Sequence, residues 1–139
     1  MQQQISIVTL GVADLERSRR FYVEGFGWSP VFRNDEIIFY QMNGLILGTW
    51  LQAALEQDMR RGLQRAGAFA LGHNVPRRED VQPLLQRLES FGGRILKNAT
   101  EPPHGGLSGY VADPDDHAWE IAWNPAWKID PQGHVTFGP

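Results

Sequence analysis

The sequence contains no cysteine, which excludes disulfides, thiolate nucleophiles and metal sites built from Cys. It also has no excess of basic residues: 13 Lys and Arg stand against 16 Asp and Glu, for a net charge of −3. The basic residues form no stripe, so nothing favours binding to nucleic acid or to an anionic membrane. No apolar run approaches the length of a membrane span. The N-terminal segment lacks the pattern of a signal peptide, so we expect a cytoplasmic protein.

The chain has 139 residues, of which 42% are hydrophobic, as in an ordinary globular domain. Two stretches, at about 4–51 and 67–125, repeat one order of elements: a strand, a helix and three strands. A helical connector, Gln52–Gln64, separates them, and a tail, 126–139, follows. We therefore predict a single domain, 1–139, made of two modules.

Strand and cap signals set the elements of the first module. Alternating β-branched residues predict the first strand, Asp14 is a good helix N-cap, and Asn43-Gly44 is a strong hairpin signal. The predicted elements are a strand at Ile5–Val12, a helix at Leu15–Glu24, and strands at Val31–Arg33, Ile37–Met42 and Leu45–Leu51.

The second module follows the same plan. Asp80 is the expected N-cap, and Gly92-Gly93 is expected to end the helix. The predicted elements are a strand at Ala68–Val75, a helix at Val81–Phe91, a strand at Arg94–Lys97 and a hairpin at Gly109–Asn124. The modules are related by an offset of 63 residues at Val12 and Val75 and of 72 at Gly44 and Asp116.

The closing hairpin carries the most distinctive stretch, Asp113-Pro114-Asp115-Asp116-His117-Ala118-Trp119-Glu120. Asp and Pro are turn residues, and the strand after them alternates between two faces. Trp119, Ile121 and Trp123 share one face. The other face carries the Glu120 carboxylate between Ala118 and Ala122, which leave room for a ligand.

This stretch resembles the closing hairpin of the vicinal oxygen chelate superfamily, which includes glyoxalase I, extradiol dioxygenases, fosfomycin-resistance thiol transferases and bleomycin-resistance proteins. The family pattern is Asp-Pro-Asp-Gly-His followed, after two residues, by a metal-ligating Glu, so Asp116 stands where Gly is usual. The resemblance implies an α+β fold. In that fold two tandem βαβββ modules form a curled, partly closed mixed β-sheet around a cavity, with the helices outside.

In this superfamily a metal is held by up to four residues on the first and last strands of the modules. By resemblance, those positions here are Ile7, Gly48, Ala70 and Glu120, and only Glu120 can ligate through its side chain. A divalent ion needs several converging ligands. We therefore expect no metal or other cofactor at these positions, although His73 or His104 could recruit a divalent metal.

Side chains alternate between the two faces of each strand, so the metal positions also predict which other residues face the cavity. The candidate ligand-binding residues are Thr9, Tyr40, Trp50, Asn74, Tyr110 and Glu120. The register of the Tyr40 strand is less certain, so Gln41 could face the cavity in its place. Glu120 is a candidate base, and His104, in the glycine-rich loop before the hairpin, is the second candidate catalytic residue. A carboxylate buried without a metal needs a partner, and Arg33, His104, Asn74, Tyr110 or a cationic ligand could supply it. Parity puts His73 on the helix-facing side, like Leu10.

Three functions stay open at this point. The protein could bind a small organic ligand without chemistry, as the resemblance to bleomycin-resistance proteins implies. It could be a glyoxalase-like lyase, isomerase or dioxygenase that uses Glu120 as a base or as a ligand of a recruited metal. It could also be a fold with no small-molecule role. We further predict a two-fold homodimer, and exchange of modules between subunits stays open.

Overall fold

A computed structural model describes residues 1–137. The chain divides into two compact units, Met1–Arg65 and a second that begins at Ala66. Gly138 and Pro139, the last residues of the predicted tail, lie outside the described residues.

The first unit follows the predicted order of elements. Asp14 caps the first helix as predicted, because its Oδ1 accepts the Arg17 N–H at 2.8 Å. Gly44 adopts φ 111° in the predicted hairpin. The connector helix is shorter than expected, and its Leu55 is buried. The elements are β1 (Ile7–Val12), α1 (Leu15–Arg19) with a π-helical continuation (Arg20–Gly25), β2 (Pro30–Arg33), β3 (Ile37–Gln41), β4 (Ile46–Leu51) and α2 (Gln52–Met59).

The second unit repeats this order and adds a small hairpin in the tail. Its first strand is shorter than predicted, and Ala68, with φ 56°, lies outside the extended conformation. The elements are β5 (Leu71–Asn74), a 3₁₀ turn (Arg78–Asp80), α3 (Val81–Ser90), β6 (Arg94–Thr100), β7 (Leu107–Ala112), β8 (Ala118–Trp123), β9 (Lys128–Ile129) and β10 (Val135–Thr136).

Asp80 is the N-cap residue of α3 as predicted, but its side chain makes no capping hydrogen bond. The Asp80 carboxylate instead accepts two hydrogen bonds from the Arg77 guanidinium, at 2.7 and 2.9 Å. This bidentate ion pair uses the oxygens that a cap would need. Gly92, at φ 102°, does end the helix as predicted, where its N–H bonds to the Glu89 carbonyl at 3.2 Å.

Each unit contains one four-stranded mixed sheet, and the two sheets have the same topology. The strand orders are β1-β4-β3-β2 and β5-β8-β7-β6, and in each the first and last strands of the module pair in parallel. The register pairs Thr9 with Gly48 and Gly72 with Glu120, which reproduces the predicted offsets of 63 and 72 residues. The mixed α+β fold is therefore confirmed, with its eight strands divided between two sheets rather than closed into one.

A helix covers one face of each sheet. In the first unit, Tyr22 at the end of the first helix packs on Tyr40, with ring centroids 5.8 Å apart, and both are fully buried. In the second unit, α3 buries Leu85 and Leu88 against β7 and β8. A Cβ on Gly109 of β7 would lie 2.7 Å from the backbone carbonyl oxygen of Lys97 and 2.5 Å from Leu85 Cδ1, so the close approach of β6 requires glycine. In the first unit, α2 contacts β1 and β4 from the opposite face, where Leu55 Cδ2 would lie 3.4 Å from a Cβ on Gly11.

Candidate functional site

The alternation of β8 is as predicted. Trp119 and Ile121 are only 5% and 0% exposed and lie on the face that α3 covers. Glu120 lies on the opposite face and is half-buried, between the small side chains of Ala118 and Ala122. The strand therefore presents its single carboxylate on the face opposite α3.

The turn before β8 is held by one aspartate and one histidine. Asp113 Oδ1 accepts the backbone N–H groups of Asp115 and His117 at 2.9 and 2.8 Å, and His117 Nδ1 lies 2.9 Å from Asp113 Oδ2. Burial lowers the pKa of His117, but the bond to Asp113 and the charges of the nearby carboxylates outweigh it and leave that pKa raised. The imidazole thus fixes the turn from which β8 starts.

Asp116 occupies the position where the family pattern has glycine, and it adopts the left-handed region at φ 70°. L-residues other than Gly rarely adopt this conformation, although Asp tolerates it better than most. Its carboxylate also accepts a hydrogen bond from Arg94 at 2.8 Å, and both side chains are exposed. The turn is therefore formed despite the substitution.

A second turn of the same sequence pattern lies in the tail, at Asp130-Pro131-Gln132-Gly133-His134. Asp130 Oδ1 accepts the N–H groups of Gln132 and His134, both at 2.9 Å, and His134 Nδ1 lies 2.9 Å from Asp130 Oδ2. Gly133, at φ 84°, takes the place of Asp116. This turn joins β9 to β10 and so gives the tail a defined hairpin.

A pocket of about 230 Å³ lies on the open face of the second sheet, and all of its lining belongs to the second unit. Its lining residues include one Glu, one His, several neutral polar residues and two Trp. The lining residues are Asn74, Pro102, His104, Gly105, Leu107, Ser108, Glu120, Ala122, Trp123, Asn124 and Trp127. A few polar groups on an apolar wall are typical of a site for a small organic molecule.

Gly106 brings the loop that carries His104 onto the end of β8. It adopts φ 88°, and a Cβ built on it would lie 2.5 Å from the carbonyl oxygen of Trp123. Both the backbone conformation and the close approach therefore require glycine. The contact accounts for the presence of His104 and Gly105 in the wall beside Trp123.

Tyr110 is the partner of Glu120 among the candidates that the sequence suggested. It lies directly opposite Glu120 on β7, so the phenol and the carboxylate are cross-strand neighbours. Burial raises the pKa of Tyr110, and so do the charge of Glu120 and the interaction of the phenol with its carboxylate. On the other side of Glu120, Gly72 leaves open space, because a Cβ there would meet no atom within 4 Å.

The structure brings Asn74, His104 and Glu120 into one pocket and puts Tyr110 beside them. His73 lies in register with the buried Ile121, on the helix-covered face, and burial lowers its pKa. The histidine of β5 is thus half-buried on the side away from the pocket, as parity predicted.

The remaining candidates belong to the first unit. Thr9 and Trp50 lie on the sheet face that corresponds to the pocket face, whereas Tyr40 lies on the helix-covered face, where burial raises its pKa to about 12. The residue opposite Gly48 is Phe39, whose ring would lie 3.2 Å from a Cβ on Gly48. Tyr40 is therefore part of the core, and Phe39 occupies the place that Tyr110 has in the second unit.

The residues at the family's metal positions do not fit a metal. Ile7 and Ala70 are exposed aliphatic side chains, and the ring of Phe39 lies against Gly48. Across residues 1–137, no three His, Asp or Glu side chains come together in a way that could hold an ion. Glu120 alone provides too few ligands for a divalent cation.

Sequence reasoning missed part of the pocket wall. Trp127 comes from the tail, which the sequence analysis left out of the cavity, and Ser108 lies two residues before Tyr110 on the same face of β7. The parity of β7 could have identified Ser108. The second Asp-Pro-x-x-His pattern was the available signal that the tail forms a hairpin next to the site.

Comparison with known proteins assigns the fold to a family. Residues 4–121 match the family model of the Glyoxalase/Bleomycin resistance protein/Dioxygenase superfamily. The chain belongs to this superfamily. It is similar to a solved glyoxalase-related enzyme from Fulvimarina pelagi, with 57% identity, a TM-score of 0.97, and coverage of 99% of this chain and 100% of that one.

More distant similarities are to a metallothiol transferase and, in fold, to a fosfomycin resistance protein. The chain is 24% identical to the metallothiol transferase FosB of Lysinibacillus sphaericus strain C3-41, over 86% of this chain and 81% of that protein. The fosfomycin resistance protein FosX of Listeria monocytogenes shares the fold, with a TM-score of 0.70 at 22% identity over 89% of this chain and 95% of that one. None of the helices described within residues 1–137 is long and apolar enough to cross a membrane.

Proposed function

We propose that the protein binds a small organic molecule in the pocket of the second unit, without a metal at the superfamily's usual positions. The observation that carries this proposal is the pairing of Glu120 with Tyr110 at the pocket wall. A carboxylate that no longer serves a metal needs another partner, and the phenol supplies one. In this proposal Glu120 and Tyr110 form a polar binding site at the position where other members of the superfamily hold a metal.

The pairing leaves Glu120 able to bind a ligand. A carboxylate has about four acceptor positions, and one phenol O–H uses one of them. Asn74 and Ser108 add hydrogen-bonding groups on the same sheet face, and Trp127 adds apolar area. These groups suit a ligand with a polar end and a hydrocarbon body.

A second candidate is a glyoxalase-like lyase or isomerase, and His104 favours it. An imidazole and a carboxylate in the wall of one pocket are the groups that a proton transfer between two atoms of a bound substrate requires. The relative with 57% identity is described as a glyoxalase-related enzyme. In this case Glu120 would accept a proton from one substrate atom and protonated His104 would donate a proton to another, and exchange with water would then restore both groups.

A ligand screen by thermal shift tests the first candidate, because a ligand that binds only the folded state raises the apparent stability. Glu120→Gln keeps the side chain's shape and removes its charge. We expect this variant to fold normally and to lose the shifts that the unaltered protein gives. Glu89→Gln, at an exposed position of α3, is the matched control and should retain them.

Metal analysis and an assay of hits separate the two candidates. One equivalent of a divalent metal retained after desalting and lost in Glu120→Gln would overturn the metal-free proposal. Conversion of a bound hit that stops in both Glu120→Gln and His104→Asn would favour the lyase or isomerase. If Glu120→Gln retained every shift, the pocket assignment would be wrong.

We also propose a cytoplasmic homodimer. In the single chain, Val31 and Phe32 of β2 are 61% and 48% exposed, and Ile5 and Ile7 near the N-terminus are 64% and 45% exposed. Apolar side chains that are exposed close together are typical of an interaction surface. Light scattering should give twice the mass of the chain at micromolar concentration, and a monomer would contradict the proposal.

A further inference from the structure

We propose that the pocket of the second unit selects a small organic cation, an alkylammonium group, rather than an anionic or neutral ligand. This inference rests on the proposed binding function and names its ligand class. It comes from the charges of the pocket wall, its aromatic content and the space beside Glu120.

The titratable side chains of the wall are one carboxylate, Glu120, and one imidazole, His104. No Lys or Arg occurs among the lining residues in the described part of the chain. Within residues 1–137, the Glu120 carboxylate makes no ion pair with a Lys or Arg, and its partner Tyr110 is a neutral donor. A half-buried carboxylate with only a neutral partner keeps its charge uncompensated, so a cation gains more from this site than a neutral molecule of the same shape.

The aromatic content points to the same class. Trp127 lines the pocket from the tail, and indole is the aromatic group that attracts cations most strongly. Trp127 is held in the tail by Phe137, whose ring meets it edge to face with centroids 5.7 Å apart. The β9–β10 hairpin and its Asp130 turn therefore keep this indole at the pocket.

The residues next to the carboxylate leave space for a substituted nitrogen. Gly72 is in register with Glu120, and a side chain there would meet no atom within 4 Å. Ala118 and Ala122 flank Glu120 along β8 with single methyl groups. A bulky alkylammonium head can thus approach the carboxylate, and Asn74 and Ser108 remain available for the polar part of the same molecule.

A matched pair of probes tests the charge directly. Choline and neohexanol have nearly the same shape, but neohexanol carries a neutral carbon in place of the ammonium nitrogen. We expect choline to perturb the indole N–H resonance of Trp127 in an NMR titration. We expect at least about tenfold weaker binding of neohexanol, as for the loss of a charge-assisted contact.

Two variants locate the effect. Glu120→Gln should reduce the ratio of the choline affinity to the neohexanol affinity to near one. Trp127→Leu should weaken the binding of choline more than the binding of neohexanol. Glu89→Gln is the control and should leave both affinities unchanged. If a screen finds anionic or neutral ligands that depend on Glu120 while choline fails, the cation inference is wrong and the binding function stands. If no compound of any class binds, the binding function itself fails.

Discussion

Tyr110 and Glu120 lie directly opposite each other on neighbouring antiparallel strands, and the charge of the carboxylate helps to raise the pKa of the phenol. The equivalent positions of the first unit hold Phe39 and Gly48, an apolar pair in close contact. The two units thus share a backbone register but differ in chemistry at the same place. This difference makes the second unit the one that carries the candidate site.

The titration of Tyr110 should depend on Glu120. Glu120→Gln removes the negative charge and the ionised acceptor, so the pKa of the phenol should fall from its raised position toward that of an ordinary tyrosine. An alkaline absorbance titration can follow it, because the chain has only three tyrosines and Tyr22 and Tyr40 are fully buried. Tyr110→Phe assigns the signal. An unchanged midpoint in Glu120→Gln would show that burial alone raises this pKa.

Replacing Asp116 by glycine should stabilise the protein, because glycine adopts the left-handed backbone conformation of this position without strain. Asp116→Gly also removes the exposed ion pair with Arg94, so the comparison is best made in an Arg94→Gln background. There, Asp116→Gly should raise the free energy of unfolding by about 0.5–1 kcal/mol, whereas Asp116→Ala should give no such gain. Urea denaturation measures both. A loss of stability with glycine would mean that the Asp116 side chain contributes more than its conformation costs.

Gly106 and Gly105 offer a matched test of the loop contact. Both have positive φ, at 88° and 91°, but a Cβ on Gly105 meets no atom within 4 Å, whereas one on Gly106 meets the Trp123 carbonyl oxygen at 2.5 Å. Gly105→Ala should therefore cost only the backbone strain, about 1 kcal/mol, and Gly106→Ala about 1–3 kcal/mol. Gly106→Ala should also weaken any ligand of the pocket, since the loop with His104 must shift. Equal costs in denaturation would contradict the close approach.

The stabilising effect of His117 should depend on pH in a defined direction. Its pKa is raised in the folded state, so the stability gained from its protonation is fully present below the ordinary value of about 6.5. That contribution is lost as the pH rises through the folded-state pKa. The stability difference between the unaltered protein and His117→Asn should therefore be larger at pH 5.5 than at pH 8.

Two other histidines serve as controls for this measurement. Burial lowers the pKa of His73, so its contribution has the opposite sign: stability is lost as the pH falls below about 6.5. His134 belongs to the same turn pattern as His117 but is exposed, and His134→Asn should change stability little at either pH. Denaturation of the three single variants at both pH values separates the contributions. A His117→Asn difference that grows with pH would reverse the assignment.

The repeat was predictable from the sequence because its signals are local. The cap at Asp14 depends on residues within one turn, and the offsets of 63 and 72 follow from patterns that the register reproduces. The failed cap at Asp80 has an equally local cause, since Arg77 competes for the same carboxylate. Helix-capping propensity alone cannot tell whether the Asp80 carboxylate bonds to the N–H groups of α3 or to the Arg77 guanidinium.

The pocket was only partly predictable, because its wall joins segments that are distant in sequence. Strand parity led to Glu120, Asn74 and Tyr110, each of which depends only on which face of a strand it occupies. To place Tyr40 one needs the register of β3, because a shift of one residue exchanges the two faces of a strand. The residue opposite Gly48 is Phe39, the neighbour of Tyr40 in the chain. Trp127 required the packing of the tail, which no periodic pattern encodes.

The repeated Asp-Pro-x-x-His turn has a consequence for the order in which the second unit folds. Two copies form the same set of bonds, one buried at Asp113 and one exposed at Asp130, so the segment adopts this shape from its own residues. Hairpins closed by such turns form in microseconds, whereas the parallel pairing of β5 with β8 must first close a long loop. We therefore expect pulsed hydrogen exchange during refolding to protect the amides of β7 and β8 facing each other before those of β5. In that order, Glu120 lies opposite the phenol of Tyr110 before Gly72 and Asn74 of β5 pair with the other side of β8.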